Sequence, residues 1–306
     1  MTLKKSLLGL LFAAVLVSFI VMPSLQGIRD MSNDQIKFSP EDTMKDLQVK
    51  IQKMKEQIRR EGGTYDVAIN AAMQYPLDQL CGLKPELLKN DAPVVEEELQ
   101  AVTPATIYTG YCSSIKNQGS CGSCWDFATC GAAEAAYYKT YGSWYDFSEQ
   151  YVLDCNASGY SCAGGWFSFD TFTNGGVPLE NCYYRYTATK YVCEPNYCTT
   201  KYTLSGSKKV NSSVSSIQNA IQTYGAVAVA VYADSYFQAY SSGCFSRNAS
   251  GTVNHAVVLC GWDTTQCTTG AWKLKNSWGT SWGVSGYMWI MYGVQQVGYN
   301  ATYCYK

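Results

Sequence analysis

Fourteen cysteines in 306 residues leave this chain two kinds of structure. In a reducing compartment so many thiols mean metal binding or redox chemistry; in an oxidising one they mean a disulfide framework. The N-terminus points to the second. Lys4 and Lys5 precede an apolar stretch from Leu7 to Met22, Pro23 breaks it, and Ser24, Gln26 and Gly27 follow, the layout of a secretory signal cut near Gly27. Residues 1–27 are expected to be that signal peptide. At about 16 residues the stretch is slightly long for a signal core and slightly short for a bilayer span, so an uncleaved membrane anchor is the alternative. Zinc finds little support, because the only Cys-x-x-Cys pair is Cys121/Cys124 and His255 is the only histidine. No metal and no cofactor are expected.

Four Asn-x-Ser/Thr triplets, at Asn156, Asn211, Asn248 and Asn300, fit passage through the secretory pathway and are candidate glycosylation sites. A formal net charge of −1 gives no concentrated basic surface, so a nucleic-acid partner is not expected. With 47% hydrophobic and 15% charged residues, the chain can bury one large core or two modest ones, as a globular monomer.

Composition divides the chain. From about Asp30 to Val102 it is charge-rich and lacks tryptophan; from Tyr108 onward it is aromatic, glycine-rich and full of cysteine. In the first part Met44, Leu47, Ile51, Met54 and Ile58 recur at steps of three and four, which predicts an amphipathic helix over about residues 40–61, ending before Gly62-Gly63. Two heptads are short for an autonomous coiled coil, so packing on the chain's own body is favoured over a coiled-coil seam. Ahead of a thiol enzyme, a separable polar segment over residues 28–100 makes sense as a propeptide, with residues 101–306 as the mature domain.

The run Asn117-Gln118-Gly119-Ser120-Cys121-Gly122-Ser123-Cys124-Trp125 contains the candidate nucleophile. A thiol must become a thiolate before it attacks, so it needs a nearby base, and His255 is the only imidazole available. Trp125 to Tyr141 has helical composition and stops at Gly142, placing Cys124 at a helix start, where unpaired amides and the helix dipole favour a thiolate. Residues 226–231, 253–260, 271–275 and 287–292 read as short strands between glycine and polar turns. A helical first half and a β second half imply an α+β protein of two lobes, with Cys124 on one, His255 on the other and a cleft between. Setting aside Cys81 with the N-terminal segment and Cys124 as the nucleophile leaves twelve cysteines, enough for six bridges; alternatively Cys130 and Cys260, both inside apolar runs, are buried free thiols.

Gln118 to Trp125, Asn254-His255-Ala256-Val257 and Lys275-Asn276-Ser277-Trp278-Gly279 resemble, in order, the three signature blocks of papain-like cysteine proteases, the cathepsin family; His255 and Asn276 lie 131 and 152 residues beyond Cys124. The resemblance covers the span from about Val102 to the C-terminus. It implies a papain-like two-lobe α+β fold, with a helical N-terminal lobe, an antiparallel β-barrel-like C-terminal lobe and an active-site cleft between them. It also implies an endopeptidase acting through a thiolate–imidazolium pair and an acyl-enzyme, made as a zymogen that its own propeptide inhibits. Polypeptides are then the substrates, and the lysosome, vacuole or extracellular space the destination. Residue by residue, Cys124 becomes the nucleophile, His255 the base and then acid, Asn276 the orienter of the imidazole, and Gln118 an oxyanion-hole donor.

By the same resemblance Gly164 and Gly165 receive the substrate backbone, and Trp166, Ala230, Val253, Ala256 and Thr302 line an uncharged specificity pocket that takes a bulky apolar side chain. Trp278 shields the His255–Asn276 bond. Cys121–Cys162 and Cys155–Cys193 are implied disulfides. The chain departs from the family in lacking an Asp-Trp-Arg tripeptide between Thr103 and Lys116, which leaves the cut at about residues 95–105. The N-terminal segment lacks the long interspersed motif of the main cathepsin subgroup, and Asp126 replaces a small residue. Val297 stands where the partner of Cys244 would be, with Cys304 as the candidate substitute. An exopeptidase or peptide ligase on the same site, and a catalytically silent binding homologue, are the competing functions.

Overall fold

The structure, a computed structural model, describes residues 36–88 and 105–306. The expected signal segment lies outside the described residues, as does the expected cut except for Ala105. Among the described residues no helix is long and apolar enough to cross a membrane.

In chain order the elements are α1 (Met44–Arg60), β1 (Asp66–Val67), α2 (Leu77–Leu80), β2 (Ile107–Thr109), α3 (Cys124–Tyr141), α4 (Glu149–Cys155), α5 (Phe169–Asn174), β3 (Gly206–Lys209), α6 (Val214–Tyr224), β4 (Val227–Val231), α7 (Ser235–Ala239), β5 (Tyr240–Ser242), β6 (Cys244–Phe245), β7 (His255–Asp263), β8 (Ala271–Lys275), β9 (Tyr287–Met291) and β10 (Tyr299–Tyr305). Helix α1 begins at a capping box: Thr43 Oγ1 accepts from the Asp46 amide at 3.2 Å, and the Asp46 carboxylate accepts from the Thr43 amide at 3.0 Å. It ends at Glu61, ahead of left-handed Gly62. Of its apolar stripe Ile51, Met54 and Ile58 are buried, whereas Met44 is 61% exposed. These three side chains share a core with Tyr236, Phe245 and Trp282, so the helix packs on its own chain.

The main sheet runs β3-β10-β4-β7-β8-β9-β6, with β2 also paired to β7; every pairing is antiparallel except β6 with β9. It stays open instead of closing into a barrel. One end strand, β3, is a short lysine-bearing edge, and the other, β6, has only two residues. Strand β7 is buried along its whole length, and its alternation explains why. Ala256, Val258 and Cys260 belong to the core built around α3, whereas Val257 and Leu259 belong to the core that includes α1. Ala228 and Ala230 of β4 also face α3 and let the helix approach closely.

Five disulfides form: Cys112–Cys260, Cys121–Cys162, Cys155–Cys193, Cys182–Cys198 and Cys244–Cys267. Cys130 is a buried free thiol, while Cys260 is bridged. The expectation that Cys304 would pair with Cys244 fails. Cys304 lies on β10 and Cys244 on β6, five strand steps apart, roughly 24 Å at about 4.8 Å per step and far beyond disulfide reach.

Two of the candidate glycan acceptors are poorly placed. Asn156 is 6% exposed, and its Nδ2 donates to the carbonyls of Val152, Leu153 and Tyr160 at 3.0–3.1 Å while Oδ1 accepts from the Tyr160 amide at 2.7 Å. A sugar on that nitrogen would break this cap of α4. Asn300 has a buried Nδ2 and lines the cleft cavity. Asn211 and Asn248 are exposed.

Candidate active site

Cys124 is the first residue of α3 and is fully buried. The turn before it is held by the Cys121–Cys162 bridge and by a close approach that only glycine permits: a Cβ on Gly122 would lie 2.6 Å from the Cys162 carbonyl oxygen. Tyr186 clamps the same turn. Its hydroxyl lies 2.6 Å from Ser123 Oγ and donates to the Gln118 carbonyl at 3.0 Å.

His255 opens β7 and Asn276 follows β8, the neighbouring strand, which brings His255 Nε2 to 2.8 Å from Asn276 Oδ1. The Ser277 amide donates to that same Oδ1 at 2.8 Å, which fixes the carboxamide with its oxygen towards the ring. Nε2 therefore carries a proton, and Nδ1 is left as the ring's acceptor. Nδ1 is buried and makes no hydrogen bond among the described residues. Trp278 lies over the pair, its ring centre 4.6 Å from that of His255, and Phe237 meets the imidazole edge-on at 6.0 Å.

Gln118 is oriented by a contact that motif spacing does not reveal: Ser277 Oγ donates to Gln118 Oε1 at 2.7 Å. Nε2 is thereby turned into the cleft, where it donates to the carbonyls of Leu80 at 2.9 Å and Cys121 at 2.8 Å. Beneath it, Lys116 contacts Glu134 at 3.1 Å, Asp146 at 2.6 Å and Glu149 at 2.8 Å, and Lys275 donates to Ser113 Oγ at 2.6 Å. Ser113 donates in turn to Glu134. This charge cluster ties the chain before Gln118 and the end of β8 to the body of α3. Burial pushes Glu149 up to about 8 within it.

The N-terminal segment runs through the cleft. Beyond the Leu80 carbonyl on Gln118, the Gly165 amide donates to the Gly82 carbonyl at 2.9 Å, the Lys84 amide to the Gly165 carbonyl at 3.0 Å, and the Leu83 amide to the Asn254 carbonyl at 3.0 Å. This is an added strand, paired in parallel with Gly165. Gly164, at φ +123°, lies against the same segment: a Cβ there would be 2.6 Å from the Gly82 carbonyl oxygen.

Covering the cleft dries it. Burial pushes the Cys124 thiol up to about 11, partly offset by the nearby backbone amides of Ala256, Gly82, Trp125 and Leu83. Burial also pulls His255 down to about 4, opposed by its bond to Asn276. Both shifts favour the neutral forms while the segment is in place.

Further along, Leu87 and Leu88 form part of the wall of a cavity of about 380 Å³ that Trp166 and Thr302 also line. Ala230, Val253 and Ala256 lie instead in the buried core shared with Leu83, Cys124 and Trp166. The cavity carries charge that was not expected of the pocket, because register places Lys209 of β3 opposite Thr302 of β10, and Lys208, Lys209 and Asp170 all reach its wall.

Residues 103–306 match the sequence profile described as papain family cysteine protease. The chain belongs to the papain family.

Among its papain-family relatives, the Dictyostelium discoideum gamete and mating-type specific protein A is 39% identical over 193 residues, covering 60% of this chain and 41% of that protein. Ananain from Ananas comosus is 32% identical over 247 residues, covering 75% of this chain and 69% of ananain. The chain thus spans under half of the first relative's length. The structure of digestive procathepsin L 3 from Tenebrio molitor larval midgut superposes with a TM-score of 0.71 at 29% identity, covering 86% of this chain and 90% of that one. That share exceeds the two thirds matched by the family profile, so the likeness extends into the N-terminal segment. The fold is papain-like, a mixed helix and sheet architecture with an open multi-stranded sheet.

Proposed function

We propose that this chain is the zymogen of a cysteine endopeptidase, in which residues 28–100 are the propeptide and residues 101–306 the mature enzyme. The observation that carries the reading is the path of the N-terminal segment. An extended chain places a carbonyl on Gln118 Nε2, pairs its backbone with Gly165 and continues along the wall of the cavity at Trp166. Upstream, the same chain runs on as α2 and β1, with β1 paired to β5. A cleft that accommodates polypeptide on both sides of the nucleophile suits internal cleavage; an exopeptidase needs one side closed.

Release of the segment rehydrates the site. His255 Nδ1 then takes the Cys124 proton, and the resulting pair keeps the thiolate ready. The thiolate adds to the substrate carbonyl, and its developing negative charge is met by Gln118 Nε2 and the Cys124 amide. His255 returns the proton to the leaving amine, forming an acyl-enzyme, and then activates the water that hydrolyses it. Asn276 holds the ring in the productive tautomer throughout, and Trp278 keeps water from their bond.

The leader and the five disulfides support a secretory route ending in a lysosome, vacuole or the outside of the cell, with glycans at Asn211 and Asn248. The deciding experiment gives the activated protein an internally quenched peptide blocked at both ends. Cleavage that vanishes in Cys124→Ala is the expected result; turnover of free-ended peptides alone would point to an exopeptidase.

A further inference from the structure

One thiol left free by the disulfide framework lies in the segment that covers another, Cys124. Cys81 is buried at 6% exposure, and the chain on either side of it is fixed to the catalytic centre. On one side the Leu80 carbonyl accepts from Gln118 Nε2 at 2.9 Å. On the other, Gly82 packs so closely on Gly122, two residues before Cys124, that a Cβ there would fall 1.8 Å from the Gly122 carbonyl oxygen, and its amide is among those whose proximity favours the Cys124 thiolate. Cys81 is thus held in the segment that covers Cys124, and a bridge asks for a shift of the single-turn helix α2 that leads into it. The other two free thiols are placed differently. Cys130 lies nearly two turns along α3, donating to Asp126, and Cys304 sits inside β10.

We propose that Cys81 is a redox-modification site whose partner is Cys124, so that a disulfide between them locks the zymogen. The inference rests on Cys124 being the nucleophile. The oxidant is a small-molecule disulfide of the glutathione class. One protein thiolate attacks it, forming a mixed disulfide and releasing one small thiolate. The second protein thiolate displaces the other, so two protein thiols are oxidised, one small disulfide is reduced to two small thiols, and the two protons leave with them.

Burial raises both thiols while the cleft is covered, so exchange begins when the segment lifts and His255 can accept a proton. Once formed, the bond outlasts cleavage of the chain at residues 95–105, because the severed propeptide stays attached to the nucleophile. Activation then needs both a cut and a reductant.

The test uses the full chain as wild type, Cys81→Ala and Cys124→Ala, equilibrated over a range of reduced-to-oxidised glutathione, quenched with an alkylating agent and mapped without reduction. The expected result is a linked peptide pair containing Cys81 and Cys124 in the wild type only, with glutathione on Cys124 in Cys81→Ala. After cleavage, the propeptide should remain bound to oxidised wild type until reductant is added and should separate at once from Cys81→Ala. Absence of the linked pair at every ratio, from a chain that cleaves peptides when reduced, overturns the latch. A linked pair in a chain that cleaves nothing when reduced supports the bond and overturns the protease reading.

Discussion

The Leu80 carbonyl sits 2.9 Å from Gln118 Nε2, on the donor that would otherwise receive the carbonyl of a substrate. The same nitrogen also donates to the Cys121 carbonyl, and its direction is set by Ser277 on the far side of the amide. In the proposed zymogen, latency is therefore occupation of a formed site. Gln118, Asn276 and His255 already hold their hydrogen bonds, so removing the segment exposes the site without having to build it. What the cover adds is burial, which favours the neutral forms of Cys124 and His255.

Gly82 is where the cover is tightest. Its Cα rests on the backbone of Gly122, and even a methyl group cannot be placed there without moving the segment away from Cys124. Overpacking of this kind costs about 1–3 kcal/mol. Gly82→Ala should therefore leave the enzyme body intact but raise the rate at which a thiol-reactive peptide probe labels Cys124 in uncut protein by roughly tenfold or more. Labelling as slow as wild type would mean that Gly82 does not hold the segment in place.

In the proposed mechanism Ser277 acts on catalysis by orienting Gln118. Ser277→Ala deletes one neutral hydrogen bond, worth about 1 kcal/mol, and frees the carboxamide to rotate. In the activated enzyme kcat should fall about fivefold with KM nearly unchanged, whereas Gln118→Ala should lower kcat by about 10²–10³. Combining the two should cost no more than Gln118→Ala alone. Additive losses would show that Ser277 works by another route.

Much of this site is legible in the amino-acid sequence. The helix start at Cys124 follows from alanine-rich composition ending at Gly142, which caps α3 at φ +69°. The α1 stripe is legible because helical spacing is local, and so is its packing on the chain's own body. Register is not. That Lys209 stands opposite Thr302, that Ser277 reaches Gln118, and that Cys244 pairs with Cys267 across 23 residues all depend on which strands neighbour one another, and one sequence does not encode that in its spacing. Asn156 shows the complementary limit: a sequon marks a candidate acceptor, but the same side chain is an excellent helix cap, and in this structure it caps α4.

The lysine in the cavity bears on specificity. Lys209 is half-buried, its ammonium has no ion pair or hydrogen bond among the described residues, and burial pulls it below the usual lysine range. Asp170, on the same wall, has its Oδ1 engaged by Ser168 Oγ at 2.9 Å and the Thr171 amide at 3.1 Å. A substrate side chain carrying a carboxylate into this cavity would give Lys209 a partner, while Trp166 and Phe167 favour apolar length. Lys209→Met should lower kcat/KM for a peptide with Glu at the cavity position by up to about fivefold relative to the Leu peptide. An unchanged Glu-to-Leu ratio would place Lys209 outside the specificity surface.

His255 makes the cover sensitive to acid, and the sign follows from its environment. Burial lowers its pKa from 6.5 to about 4 in the covered state. A group with a depressed pKa contributes stability that is full above 6.5 and is lost as the pH falls through about 4; the gap is worth roughly 3 kcal/mol. Glu149 cannot produce this trend. Burial raises it from 4.5 to about 8, so its contribution is full below 4.5 and is lost as the pH rises. In full-length Cys124→Ala, which cannot cut itself, proteolysis of residues 80–84 by an added acid-tolerant protease, corrected for that protease's own pH profile, should be flat above pH 7. Between 6.5 and 4 it should rise by up to about tenfold per unit. His255→Gln should remove the slope. A slope that survives this substitution, or opening that does not respond to pH at all, would mean that acid acts elsewhere in the molecule.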